Sequence, residues 1–153
     1  MLLFRNAEIE DAPVILNFLR KLASYEDRES DLKISEEGLT EALSNKETKL
    51  NVLICEIENF PAGMALWQKR FSPYSGGFCM LIVDLFIDEE HRGKGIGNKF
   101  FEELKGKAQE NNCVKLEWFV DANNIQGQNF YKKIGGFPLD NSCLLYTSDA
   151  ADE

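Results

Sequence analysis

Histidine is almost missing from this chain of 153 residues: His91 stands alone, and the four cysteines, Cys55, Cys79, Cys113 and Cys143, form no Cys-x-x-Cys pair. Those gaps argue against a zinc site and against a Cys-His nucleophile, both of which need such groups at defined spacings. No apolar run reaches the 18 residues of a membrane-spanning helix, and the opening Leu2-Leu3-Phe4-Arg5 does not read as a secretory leader, so the expectation is a cytoplasmic protein without a membrane partner. Basic charge is scarce as well. Seventeen Lys and Arg face 26 Asp and Glu, for a net charge of −9. Nucleic-acid binding relies on Lys and Arg replacing phosphate counterions, so no nucleic-acid partner is expected. A cationic small substrate suits this balance better. Linkers, repeats and low-complexity tracts are also lacking, and the length fits one domain.

What the chain does have is concentrated in Asp84-Leu-Phe-Ile-Asp-Glu-Glu-His-Arg-Gly-Lys-Gly-Ile-Gly97, an apolar strand, a short acidic turn and a glycine-rich helix start. Gly93, Gly95 and Gly97 permit positive φ and close backbone approach, so N–H groups can converge on an anion at the positive end of a helix. Arg92 and Lys94 supply countercharge. The spacing fits neither a Walker A loop nor a dinucleotide fingerprint. It reads Arg-x-x-Gly-x-Gly on Arg92, Gly95 and Gly97.

The last residues, Cys143 to Glu153, match an in-frame translation of a transposase-based sequencing adapter, and are expected to be an adapter-derived tail on a domain spanning residues 1–142. Setting them aside removes Asp149, Asp152 and Glu153, which leaves 23 acidic against 17 basic residues and a net charge of −6. Such a tail has low β-propensity and is expected to pack poorly.

Periodicity gives alternating elements. Leu2 to Arg5 reads as a strand, and Asp11 caps a helix with Pro13 in its first turn that ends near Tyr25. Ile34 to Leu43 is a second helix, and Asn51 to Glu58 and Gly63 to Phe71 are strands joined at Asn59-Phe-Pro-Ala62. Phe78 to Ile87 is a longer strand. After the glycine loop, Phe100, Phe101, Leu104 and Ala108 recur at helical spacing; Val114 to Val120 is a strand, Asn124 to Ile134 a helix, and Phe137 begins a last strand that the tail interrupts. The order is mixed α/β (α+β), with one parallel crossover through the glycine-loop helix.

This order, with the loop in this place, resembles the GCN5-related N-acetyltransferases along essentially the whole of residues 1–142. The likeness sharpens toward the spermidine/spermine and thialysine branch through Leu22-Ala-Ser-Tyr-Glu26, Tyr74 within Phe71-Ser-Pro-Tyr-Ser-Gly76, Asp84-Leu-Phe-Ile87, and Asn124 followed by Asn129-Phe-Tyr-Lys-Lys-Ile-Gly135. The resemblance implies a twisted mixed sheet flanked by helices, and acetyl-CoA as acetyl donor with no metal. It further implies a primary amine of a small molecule as acceptor, with acetylation of a protein amine or a coenzyme A-binding domain of little activity as alternatives. A homodimer is compatible with it. Leu85, Phe86 and Ile87 would lend backbone groups to the pantetheine arm, Arg92, Gly93, Lys94, Gly95, Ile96, Gly97 and Asn98 would hold the diphosphate, and Asn124 would bond to the pantetheine chain. Tyr131 would be the general acid. Tyr25 and Glu26, with Glu117 and Phe119, would line the amine pocket.

The residues by themselves keep simpler readings open: a packed ring at Tyr131, a helix cap at Asn124, a solvated carboxylate at Glu26. Trp67, Trp118 and Phe119, on strands, read as packing residues. One departure stands out. Where the polyamine branch has a glutamate that takes the amine proton through water, this chain has Val83. An alkylammonium of pKa about 10.4 is only about one part in 2,500 free amine at pH 7, a deficit of roughly 4.6 kcal/mol. Asp84 is the nearest substitute base, but it lies on the opposite strand face from Val83 unless a bulge re-aims it. Glu117 and Asp121 are the others.

Overall fold

A computed structural model describes residues 1–138. They form two compact units, Met1–Phe119 and the segment from Val120 onward. The expected adapter-derived tail lies outside the described residues; Phe137 and Pro138 are not in a strand, and the rest of that expected strand also lies outside.

The first unit holds a sheet of five strands in sequence order, β1 (Leu2–Asn6), β2 (Asn51–Ile57), β3 (Phe60–Ser72), β4 (Gly77–Ile87) and β5 (Lys115–Trp118). The first three pairings are antiparallel and β4–β5 is parallel, with the crossover made by the glycine-loop helix as its position requires. The β2–β3 turn is tighter than the sequence suggests. Glu58 and Asn59 both take left-handed conformations, at φ 50° and 69°, so Phe60 and Pro61 already belong to β3. Two consecutive positive φ values match the right-handed twist of a two-residue hairpin.

Helices α1 (Ala12–Tyr25) and α2 (Glu36–Ser44) cover one face, where Ile15, Phe18, Leu39 and Leu43 close over Val52, Ile54, Met64 and Phe86. Ser35 caps α2 by accepting from the Gly38 N–H. The other face is packed by α3 (Ile96–Glu110): Phe100 meets Phe4 edge-on at 5.0 Å and Phe101 meets Trp118 likewise at 5.0 Å. Gly63 lies beneath this layer, and a Cβ there would sit 2.6 Å from the Phe86 carbonyl oxygen, so β3 and β4 can pass only with glycine at that point.

Asp11 stands at the N-cap of α1 but makes no capping bond there. Its carboxylate instead takes two bonds from Arg5, at 2.7 and 2.9 Å, and one from the Glu8 N–H at 2.7 Å, while Arg5 Nε donates to Glu56 at 2.8 Å. The planar guanidinium thus ties β1, β2 and the start of α1 together. Arg5 beside it holds the Asp11 carboxyl below the usual range against the opposing effect of burial. A depressed carboxyl stabilises the fold fully above its unfolded pKa of about 3.9 and loses that contribution as pH falls through the folded value. Asp11→Asn should therefore cost about 1–3 kcal/mol at pH 7. Denaturant melts across pH 2–7 should show parent and variant converging at the acid end.

Candidate active site

Two of the loop glycines are where their conformation demands. Gly93 and Gly95 have φ of 74° and 79°, a region costly for side chains, and nothing lies within 4 Å of where a Cβ on either would be. Gly97 differs from expectation: it is absent from the positive-φ set and lies in the first turn of α3, where it keeps the surface beside the helix N-terminus bare. Gly95 is the N-cap of α3 and supplies no side-chain cap, so the N–H groups of Ile96, Gly97 and Asn98 are first-turn donors without intrahelical acceptors. Open space, convergent donors, the helix dipole and Lys94 together fit a diphosphate.

The strand leading into the loop is half released from its sheet. Among the described residues, β5 pairs with Cys79–Ile82 of β4 and goes no further. Leu85, Phe86 and Ile87 stay paired to Ala65, Met64 and Gly63 on β3, so their other edge has no β5 neighbour; the Ile87 carbonyl accepts from Arg92 Nε at 2.8 Å. At the parting, the β3–β4 register shifts: Asp84 faces Leu66, Ile82 faces Trp67, and Val83 is the extra residue. The bulge on which Asp84's orientation depended is present. It puts Asp84 opposite Leu66, on the face covered by α1 and α2, and leaves Val83 46% exposed.

Burial pushes the Asp84 carboxyl up, and Arg28 pulls it part of the way back. Arg28 is brought there by the end of α1. Asp27 adopts a left-handed conformation at φ 56°, and the Arg28 N–H donates to the Ala23 carbonyl at 2.7 Å, a Schellman-type stop that turns the chain. Arg28 is also 3.9 Å from Glu26 and 3.1 Å from Asp31. Glu117, a half-buried strand residue, is held by Arg70 at 2.5 Å across β4. Glu117 is thus occupied by Arg70, whereas the Asp84 carboxyl is raised by burial, which makes it a better proton acceptor than an ordinary carboxylate. Tyr25 and Phe119 are both exposed, Phe119 at 81%, so Phe119 is not the packing residue its strand position suggested. Trp67 is buried and Trp118 packs on Phe101, as expected.

Arg28 and Arg70 were missed in the sequence. Their charge is visible there, but the pairing needs the αL turn at Asp27 and the β3–β4–β5 register. The cysteines hold no surprise: Cys55 is fully buried with its thiol pushed up to about 11, and burial raises Cys113 too, so both stay protonated at neutral pH.

In the second unit, α4 (Ile125–Lys133) starts at Asn124, whose side-chain oxygen accepts from the Gly127 N–H at 2.9 Å. The capping reading of Asn124 is therefore real, and its amide N–H groups are the part open to a second role. Tyr131 packs edge-on against Phe130 at 5.5 Å, and burial raises its phenol above the ordinary value. It is protonated at pH 7, as a proton donor must be. Asp121 accepts from the Asn123 N–H at 2.7 Å ahead of this helix.

A five-stranded mixed sheet with a glycine-loop helix start beyond the end of β4 defines the class. The profile of the Acetyltransferase (GNAT) family matches residues 15–137. The chain belongs to that family and is an N-acetyltransferase, a class that uses acetyl-CoA as donor and an amine as acceptor. It is 28% identical over 163 residues to the thialysine N-ε-acetyltransferase of Bos taurus, covering 99% of this chain and 95% of that one. It is 26% identical over 131 residues to an uncharacterized N-acetyltransferase of Bacillus subtilis (strain 168), covering 86% and 87%. The same fold is found in a predicted acetyltransferase of Clostridium acetobutylicum solved with acetyl-CoA, at a TM-score of 0.77 and 24% identity over 95% of this chain and 96% of that one.

Two outcomes follow. Gly95→Val forces a β-branched residue to φ near 79° and fills the open cradle. It should weaken coenzyme A binding by more than about 10-fold in calorimetry, for a strain of order 1–3 kcal/mol, with the circular dichroism of a folded protein retained. Asp84→Asn removes a carboxylate whose folded pKa is raised, so it relieves a penalty that is absent below about pH 3.9 and grows as pH climbs to the folded value. Its melting temperature should exceed the parent's at pH 7 and equal it near pH 3.

Proposed function

We propose that this N-acetyltransferase acts on the primary amine of a small molecule, with a thialysine-like amine as its better acceptor and polyamines as poorer ones. The observation that carries this reading is the charge around Asp84: Arg28 bears on it, Arg70 neutralises Glu117, and Val83 stands where a second carboxylate is expected. A polycation gains little from such a surface. An amine that also carries a carboxylate finds the Arg28 guanidinium near Asp84. The name borne by the bovine relative points to the same substrate class.

When bound, acetyl-CoA supplies a thioester whose acyl carbon can be attacked directly by an amine, so no acyl-enzyme is needed. On this reading the loop from Arg92 to Asn98 holds the diphosphate, and Leu85 to Ile87 hold the pantetheine arm through their free edge, with Asn124 adding amide donors. Asp84 takes a proton from the acceptor's ammonium group. As the N–C bond forms and the C–S bond breaks, Tyr131 gives its phenolic proton to the departing sulfur; the acylated nitrogen sheds its second proton to solvent, and solvent returns one to the Tyr131 phenolate. A carboxyl raised by burial is a better base, and a phenol raised by burial remains a donor at pH 7. Lowering the acceptor's pKa by one unit recovers 1.36 kcal/mol of the deprotonation cost, which favours an amine beside an electron-withdrawing sulfur.

Initial rates with thialysine, lysine, spermidine and a lysine peptide at equal acetyl-CoA should rank thialysine first; a peptide ahead of every small amine would overturn the acceptor class. Tyr131→Phe should lose about 100-fold or more in kcat with donor affinity nearly intact, since only the transition state needs the proton. A kcat within threefold of the parent would reassign the donor to water.

A further inference from the structure

Arg92 opens the glycine loop, yet its side chain runs back to α1. Its Nε donates to the Ile87 carbonyl at 2.8 Å, and its guanidinium carbon sits 5.0 Å from the centroid of the Tyr25 ring and 5.3 Å from that of Phe86. Phe86 in turn lies 5.7 Å from the ring of Phe18. Phe18 and Tyr25 are seven positions apart on α1, two turns along one face of the helix. Phe86 and Arg92 thus fill the interval between two rings of the same helix. Lys21, between them, reaches Asp88 at 2.7 Å on the chain segment that joins Ile87 to the loop. Each contact fixes the same thing, the path of the backbone from the end of β4 into Gly93.

We propose that Tyr25 is a positioning residue of the donor loop: its ring clamps the Arg92 guanidinium against Phe86 and the Ile87 carbonyl, holding the Gly93–Gly95 backbone on its course before the donor binds. This rests on the reading of residues 92–98 as the diphosphate site. Two left-handed glycines in three residues leave the backbone there weakly constrained, and a cradle of N–H groups binds well only if it is held in place beforehand. The planar guanidinium suits this work, since it can stack on rings while its edge donates to a carbonyl; an ammonium cannot do both. Tyr25 is 65% exposed, so it adds little to the core, and the Arg92 guanidinium is what its ring covers.

The test titrates coenzyme A itself into the full chain by calorimetry. The parent should bind, and Gly95→Val should lose binding. Tyr25→Leu should weaken affinity about 3- to 10-fold, a range set by the loss of one partly exposed cation–π contact together with the looser loop. Tyr25→Phe, which keeps the ring, should stay within twofold. Hydrogen exchange should quicken at the amides of Arg92 and Lys99, which flank the loop and donate to the Glu89 and Gly95 carbonyls, in Tyr25→Leu and not in β2 or β3. Affinity within twofold of the parent in Tyr25→Leu, with Gly95→Val still defective, would overturn the clamp and leave the loop assignment standing. A loss in Tyr25→Phe equal to that in Tyr25→Leu would also overturn it, because the hydroxyl would then be the operative group. No binding by the parent would remove the diphosphate site and the clamp with it. Arg92→Lys gives an independent reading with charge conserved: the clamp requires it to lose affinity with the same quickened loop exchange, and unaltered exchange counts against it.

Discussion

The parting of β4 from β5 at Ile82 is the constraint on which the rest of this molecule turns. A parallel pair that continued to Ile87 would use up the backbone groups of Leu85 to Ile87 and leave nothing for a ligand chain. Because pairing stops, the end of β4 has, among the described residues, a strand neighbour on the β3 side alone, and Gly63 lets β3 come close there. The bulge at Val83 sits at the same place and turns Asp84 toward the face under α1 and α2. One local irregularity thus supplies a free backbone edge, a re-aimed carboxylate and the entry to the glycine loop.

Charge is arranged around this parting with the signs interleaved. Asp84 is half-buried and raised by desolvation, so the fold is working against its ionised form there. Asp11 is the opposite case, a carboxylate drawn down by a bidentate arginine where it only has to hold elements together. Two carboxylates on one chain are driven apart by their surroundings, one lowered by a bidentate arginine and the other raised by burial. Glu117 belongs with the structural kind, since Arg70 occupies it.

Much of the fold was legible because it rests on local signals. The alternation of Asn51–Ile57, the helical spacing of Phe100, Phe101, Leu104 and Ala108, and the glycine cluster before them each mark an element by period or by breaker residues. Errors fell where tertiary packing overrides a local sign. Asp11 has the residue type of a cap but is taken by Arg5, and Phe119 has the look of a strand core residue yet is exposed. The hairpin at Glu58-Asn59 was placed too late because Pro61, read as a turn residue, is tolerated beside a register shift in β2–β3.

The sequence alone determined the element order, the parallel crossover and the place of the glycine loop, since each depends on residue types a few positions apart: glycines that can take positive φ, apolar residues at period two or 3.6. It named Asp84 as a base only on condition of a bulge. The tertiary structure decided that condition, and also that Arg28 and Arg70 stand beside the carboxylates and that Arg92 is stacked between Phe86 and Tyr25. The reason is physical: a pKa, an ion pair or a stacked guanidinium is set by groups within a few ångströms in space, and those groups come from α1, β3 and β5, tens of residues away along the chain.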